Sequence, residues 1–215
     1  MSARDTALRV LSAGRTASAW ADASLKAQLR RDGLTGADAA LATRIVYGVL
    51  QNRALLDFYL GAYCSQKLSR LQPPLADILR IGAYQILFLD KVPDRAAVNE
   101  SVELAKKNGR GAASGLVNAV LRKLSLNKAQ LPAIPERDET QALSIRYSHP
   151  KWLVRRLLAL LGREEAEAFL AADNAVAPLT VQVNTLRTTA AALTARLADA
   201  GVTAAAHPWV PDCLE

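Results

Sequence analysis

The side chains in this sequence that could do chemistry are mostly cations. On a helix over residues 3–19, Arg4 and Arg15 project within about 20° of each other at 100° per residue, with Arg9 further round. Lys26 and Arg30 form an i, i+4 pair. Lys106, Lys107 and Arg110 surround a glycine turn at Gly109 and Gly111. Ser114, Asn118 and Arg122 then run at i, i+4, i+8, opposite an apolar helix face. Guanidinium, ammonium, hydroxyl and carboxamide groups in such stripes can hydrogen-bond phosphates, sugars and base edges. A plain solvated helix face has the same pattern. The candidate contacts to such groups are Arg4, Arg9, Arg15, Lys106, Lys107, Arg110, Asn118 and Arg122.

Groups suited to bond-making chemistry are sparse. There is no glycine-rich dinucleotide loop, no phosphate-binding P-loop and no Gly-x-Ser-x-Gly elbow. His149 and His207 stand far apart, outside any metal-ligand spacing. His149, in Ser148-His149-Pro150 at a helix start, reads as a capping or surface group. Cys64 reads as a structural thiol at a helix end. Cys213 has neither a base nor a helix N-terminus beside it in sequence. Glu164, Glu165 and Glu167 cluster where a helix dipole favours carboxylates, which is sufficient reason for them. No residue is assigned a catalytic, cofactor-binding or metal-binding role.

Charge is divided along the chain. Residues 1–125 hold 18 Lys and Arg against 10 Asp and Glu, a net of +8; residues 126–215 hold 9 against 10, a net of −1. A basic first part suggests a polyanionic partner, RNA or DNA first. Aromatic residues are only 5%, so base stacking is not the expected mode in the helical part. The longest uncharged apolar stretch, residues 81–89, is far short of the ~20 residues of a membrane span. Arg4, Asp5, Arg9 and Arg15 interrupt any signal-peptide core. Two cysteines make neither a disulfide framework nor a four-ligand zinc site. The expectation is a cytoplasmic protein with no membrane and no metal.

These side chains need helices to position them. Apolar residues at helical spacing recur at Leu75, Ile78, Leu79, Gly82, Ala83, Ile86 and Leu87, and again at Ala113, Leu116, Val117, Val120, Leu121 and Leu124. The pattern over residues 38–62 breaks near Gln51 and Asn52 and restarts with Leu55, Leu56 and Tyr59. Pro73 and Pro74 open one helix and Pro93 precedes another. An all-α bundle of about seven helices follows for the first part. Residues 126–138 read as a linker, followed by helices at 139–146, from Pro150 to about Gly162, and at 164–172. Residues 179–184 alternate as a strand, 189–200 return to helix, and 202–209 are a second strand candidate. Two strands are marginal, so the chain is expected to stop inside an unfinished α/β unit.

Several strings resemble one family. They are residues 44–50 (RIVYGVL), 79–89 (LRIGAYQILFL), Val92-Pro93 with 96–106 (AAVNESVELAK), 115–122 (GLVNAVLR), 147–154 (YSHPKWLV) and 178–184 (PLTVQVN). In this order they resemble the bacterial ribosomal RNA small-subunit cytosine-C5 methyltransferase family (RsmB/Sun/Fmu). The resemblance implies a mainly α chain. A NusB-like RNA-binding helical domain would cover 1–127, a linker and helical connector 128–177, and the start of an RRM-like α/β subdomain 178–215. It implies ribosomal RNA as partner, together with the missing methyltransferase domain. S-adenosylmethionine is the parent family's cofactor, with none in this chain. The family's Pro-Cys and Thr-Cys motifs are absent, and Cys64 and Cys213 match neither. The chain is expected to bind 16S rRNA for a catalytic domain it lacks. A stand-alone NusB-like antitermination factor and a helical protein-docking module remain as alternatives.

Overall fold

The computed structural model describes residues 1–16 and 20–215, and at Arg15, Thr16 and Pro73 the backbone alone. It divides into two compact units, 1–173 and 174–215.

Seven helices build most of the first unit: α1 (Ala3–Thr16), α2 (Ala21–Asp32), α3 (Gly36–Gln51), α4 (Arg53–Tyr63), α5 (Pro73–Phe88), α6 (Asp94–Lys107) and α7 (Ser114–Leu126). The expected break at Gln51 and Asn52 separates α3 from α4, and the prolines open α5 and precede α6. Helix α5 lies at the centre. One apolar face was expected on it, but residues 75–86 are buried without interruption. Its polar side chains therefore need internal partners. Arg80 donates to Asp57 Oδ1 at 2.7 Å and Oδ2 at 2.9 Å, and to Asp77 Oδ1 at 2.8 Å. Burial works against the charged guanidinium, yet these two carboxylates hold it ionised, above its ordinary range. Gln85 donates to Ile81 O at 3.0 Å and accepts from Arg4.

Two glycines let neighbours approach α5. A Cβ at Gly48 on α3 would fall 1.9 Å from the Tyr84 ring. A Cβ at Gly82 would fall 2.4 Å from Leu121 Cδ1 and 2.7 Å from Ser101 Oγ, so α6 and α7 seat on α5 at that point. Helices α6 and α7 form an antiparallel hairpin: Asp94 at the start of α6 accepts from Ser125 near the end of α7, at 2.9 Å.

The connector packs on the same unit. It contains α8 (Glu139–Arg146) and α9 (Lys151–Asp173), which breaks at Gly162 (φ 76°) as expected. Leu143, Val154, Leu157, Ala166 and Leu170 make its core. Glu167, expected only to suit a helix dipole, accepts from Arg146 at 2.7 Å and Tyr147 at 3.1 Å. Burial alone would raise its carboxyl, but these two hydrogen bonds outweigh burial and hold it below the usual range. The His149 ring lies between Tyr147 O at 2.7 Å and Asp173 at 2.8 Å. Ser148 (φ 56°) ties connector to bundle. Asn52, the residue before α4, turns its amide back to Gly48 O on α3. The N–H groups of Ala54 and Leu55 are left to donate to Ser148 Oγ, both at 3.1 Å. Helix α4 is thus capped by a residue 94 positions away.

The second unit has β1 (Val181–Gln182), α10 (Ala190–Asp199) and β2 (Cys213–Leu214). β1 and β2 pair antiparallel, Val181 opposite Leu214. The second strand is not the expected 202–209 segment. Residues 205–207 of that segment do pair antiparallel with the last residues, through the Ala206–Leu214 bridge, the reciprocal bonds of Ala205 and Glu215 at 2.7 and 2.8 Å and His207 N–H to Cys213 O at 2.9 Å; beyond them Pro208 lacks an amide donor and the chain turns through His207 Nδ1, which accepts from Trp209 and Val210 N–H. Val183, Cys213 and Leu214 are buried, whereas Leu179, Leu186 and Trp209 are exposed.

Replacing Ser148 by Ala should cost about 1–2 kcal/mol of unfolding free energy, the size of a lost helix cap. Replacing it by Gly should cost less, since Gly accepts the positive φ. Urea denaturation reads both. An S148A chain as stable as the parent would refute the capping role.

Candidate nucleic-acid interface

The hairpin of α6 and α7 carries a cleft of about 540 Å³, lined by Arg95, Val98 and Asn99 from α6 and Asn118, Arg122, Ser125 and Leu126 from α7. Arg95 and Asn99 are one turn apart on α6, as Asn118 and Arg122 are on α7. The antiparallel crossing brings the two pairs to the same cleft. Arg95, Asn99 and Arg122 are exposed and Asn118 is half-buried. Among the described residues none of these four side chains has an intramolecular hydrogen bond or ion pair. No carboxylate lines the cleft. The nearby Asp94 is neutralised by Lys128 Nζ at 3.0 Å and accepts the Ser125 hydroxyl. Two guanidiniums and two carboxamides thus face solvent over an apolar floor at Val98. Guanidiniums suit phosphates, and carboxamides suit sugar hydroxyls and base edges.

The other sequence-derived candidates divide. Arg4 is only 15% exposed at its side chain; its Nε donates to Gln85 at 2.7 Å and its Nη1 lies 3.6 Å from Glu100. It services the buried amide of α5. Arg9 pairs with Asp32 at 3.1 Å. Burial would raise the Asp32 carboxyl, but hydrogen bonds from Thr6 and Gln28 and the charge of Arg9 hold it lower. The Arg15 side chain, and with it the Arg4–Arg15 stripe, lies outside the described residues. Lys106 pairs with Glu103 at 2.8 Å and Lys107 lies 4.0 Å from Asp5, both exposed. Arg110 stands at the turn between α6 and α7, away from the cleft. Ser114 opens α7 and does not line the cleft either. Sequence reasoning missed Arg95 and Asn99. Their signal was present as an i, i+4 pair within 96–106 and just before it, but only the hairpin shows what they face.

No group of three His, Cys, Asp or Glu among the described residues could hold a metal, and no helix among them is long and apolar enough to cross a membrane. Cys64 packs against the bundle core at the end of α4, and Cys213 is buried in the β1–β2 ladder.

Fold and cleft define a basic, all-helical bundle followed by a connector and a small α/β unit. Residues 1–126 match the NusB family, and residues 149–215 match the Methyltr_RsmF/B-like ferredoxin-like domain. The chain belongs to the NusB family, with the ferredoxin-like domain following the helical one. It is 33% identical over 94% of its length to a probable ribosomal RNA small subunit methyltransferase B of Bacillus subtilis (strain 168), of which it covers 44%. It is 34% identical over 99% of its length to the ribosomal RNA small subunit methyltransferase B of Pseudomonas putida, of which it covers 47%. The chain thus spans about half the length of these relatives. The crystal structure of PH0851 shares the fold, with a TM-score of 0.65 at 19% identity over 98% of this chain and 48% of that one.

Replacing Arg4 by Ala should cost about 1–3 kcal/mol of stability, because it strands the buried Gln85 oxygen. Replacing Asn99 or Asn118 by Ala should change stability by less than about 0.5 kcal/mol. Thermal unfolding of the three variants checks the division; an R4A chain of parental stability would contradict it.

Proposed function

We propose that this chain is the RNA-docking portion of a small-subunit ribosomal RNA (cytosine-C5) methyltransferase, holding structured 16S rRNA in the cytoplasm for a catalytic half outside its span. The acid-free cleft between α6 and α7 carries this reading, because four of its five polar side chains, all but Ser125, have no partner within the described residues. Arg95 and Arg122 take phosphates, while Asn99 and Asn118 take sugar or base edges. Lys106 adds attraction at longer range, since an exposed ion pair exchanges partners at little cost, and Arg9 and Lys107 add their charge from pairs whose carboxylates, Asp32 and Asp5, are shielded. Arg15 stays in the set on its sequence position alone. The net +8 of residues 1–125 and the family of the helical domain agree with this assignment.

The described residues do not fit S-adenosylmethionine. The strand-to-helix connection that could cradle it, from β1 to α10, contains no glycine. Methyl transfer is therefore assigned to the half of such proteins beyond this chain's span, and no step of it is placed here.

Fluorescence anisotropy with a structured fragment of small-subunit rRNA, over a series of salt concentrations, tests the reading. Replacing Arg95 and Arg122 together by Ala should weaken binding about tenfold or more and flatten the salt slope by roughly one to two units. Unchanged affinity and slope would remove the cleft from the interface, and no binding by the parent chain at low salt would remove the RNA role.

A further inference from the structure

A second polar cavity lies at the closed end of the α6–α7 hairpin. It is open to solvent and offers about 500 Å³ between the 3-10 turn at Leu68–Arg70, the start of α5 and the α6–α7 turn. Its polar lining is Gln66, Arg70, Gln72 and Arg110, and no carboxylate is among the lining residues. Gln66, Arg70 and Gln72 are exposed, and their side chains have no intramolecular partner among the described residues.

Arg110 supplies a separate observation. Its backbone is tied on both sides: the N–H donates to Ala105 O at 2.8 Å, and the carbonyl accepts from Ala113 N–H at 2.9 Å. Gly109 (φ 70°) makes the preceding turn. The start of the side chain is therefore fixed. Yet Arg110 Nε is buried with no hydrogen-bond acceptor, the one such side-chain nitrogen or oxygen among the described residues. Shielded donors on charged groups are normally satisfied, and an orphan marks a missing acceptor. Nothing acidic in the cavity can supply one.

We propose that this cavity is a phosphate site. Arg110 lends its guanidinium to a phosphate oxygen pair, in the paired hydrogen bonds that this group makes with oxyanions. Arg70 faces the same group from the other wall, and Gln66 and Gln72 add neutral N–H donors. The cavity is much larger than one phosphate group needs, so a phosphodiester with its sugar fits as well as the free ion. The site is distinct from the cleft at Arg95 and Arg122 and does not rest on RNA occupying that cleft.

Proton–nitrogen correlation spectra of the arginine Nε–H groups test it on the full chain. Inorganic phosphate is titrated in one series and a short single-stranded oligoribonucleotide in another, with ionic strength held constant by chloride. Saturable shifts of Arg110 and Arg70 are expected, while Arg80, locked between Asp57 and Asp77, stays still. R110K and R70K keep the charge but lose the paired hydrogen bonds, and each should weaken the saturable binding about tenfold or more; circular dichroism confirms that both fold. Saturation by phosphate alone supports the site with the free ion as sufficient ligand. Saturation by the oligoribonucleotide alone supports it with the phosphodiester as ligand. No saturable shift in either series, or equal binding by R110K and R70K, overturns the proposal. The R95A/R122A salt slope reads the cleft separately.

Discussion

Helix α5 has no free face, and the rest of the helical unit is arranged around that constraint. Burial of residues 75–86 on every side is favourable for Leu75, Ile78, Leu79, Ile81 and Ile86. It would be costly for Asp77, Arg80, Tyr84 and Gln85 without internal partners. Asp57 and Asp77 neutralise Arg80, and Arg4 and Ile81 satisfy Gln85. Removing one member of such a buried cluster leaves a charge uncompensated, at about 3–5 kcal/mol. Gly82 then decides how closely α6 and α7 approach α5, and the geometry of their outward cleft follows from that seating.

The fold sorts the basic residues into two kinds. Arg4, Arg80 and Arg146 are engaged by buried or half-buried partners and hold the structure together. Arg95, Arg122, Arg70 and Arg110 make no ion pair among the described residues, and two acid-free cavities collect them. Net charge does not separate these kinds, because an arginine that serves the core counts the same as one that faces solvent. The surplus of unpaired guanidiniums along one hairpin is the more specific statement about a polyanionic partner. Ser148 extends the design to the connector, whose core of Leu143, Val154 and Leu170 is joined to the bundle through the cap of α4.

Much of the helical part was legible in the sequence because its signals are local. Proline at a helix start, glycine in the α6–α7 turn and the restart after Asn52 each act within one turn of chain. Features that depend on distant residues were not legible. Periodicity gave α5 one buried face, since spacing within a helix cannot count the neighbours that surround it. Arg4 looked like a surface cation, because its partner Gln85 lies 81 positions away. Asn118 and Arg122 were visible as a stripe, but Arg95 and Asn99 become their counterparts only when the hairpin closes. The strand expected at 202–209 is cut to a short pairing at 205–207 for a local reason, the turn that His207 and Pro208 impose, and its partner lies in the last residues.

Site-specific photocrosslinking tests the central claim most directly, that RNA occupies the cleft between α6 and α7. A photoreactive residue at Leu126, exposed on the rim of the cleft, is compared with one at Val176, exposed in the second unit. With structured small-subunit rRNA at moderate salt, crosslinks are predicted from position 126 and to disappear in the R95A/R122A background. Crosslinks from position 176 with none from 126, or position-126 crosslinks that persist in that background, would contradict the account.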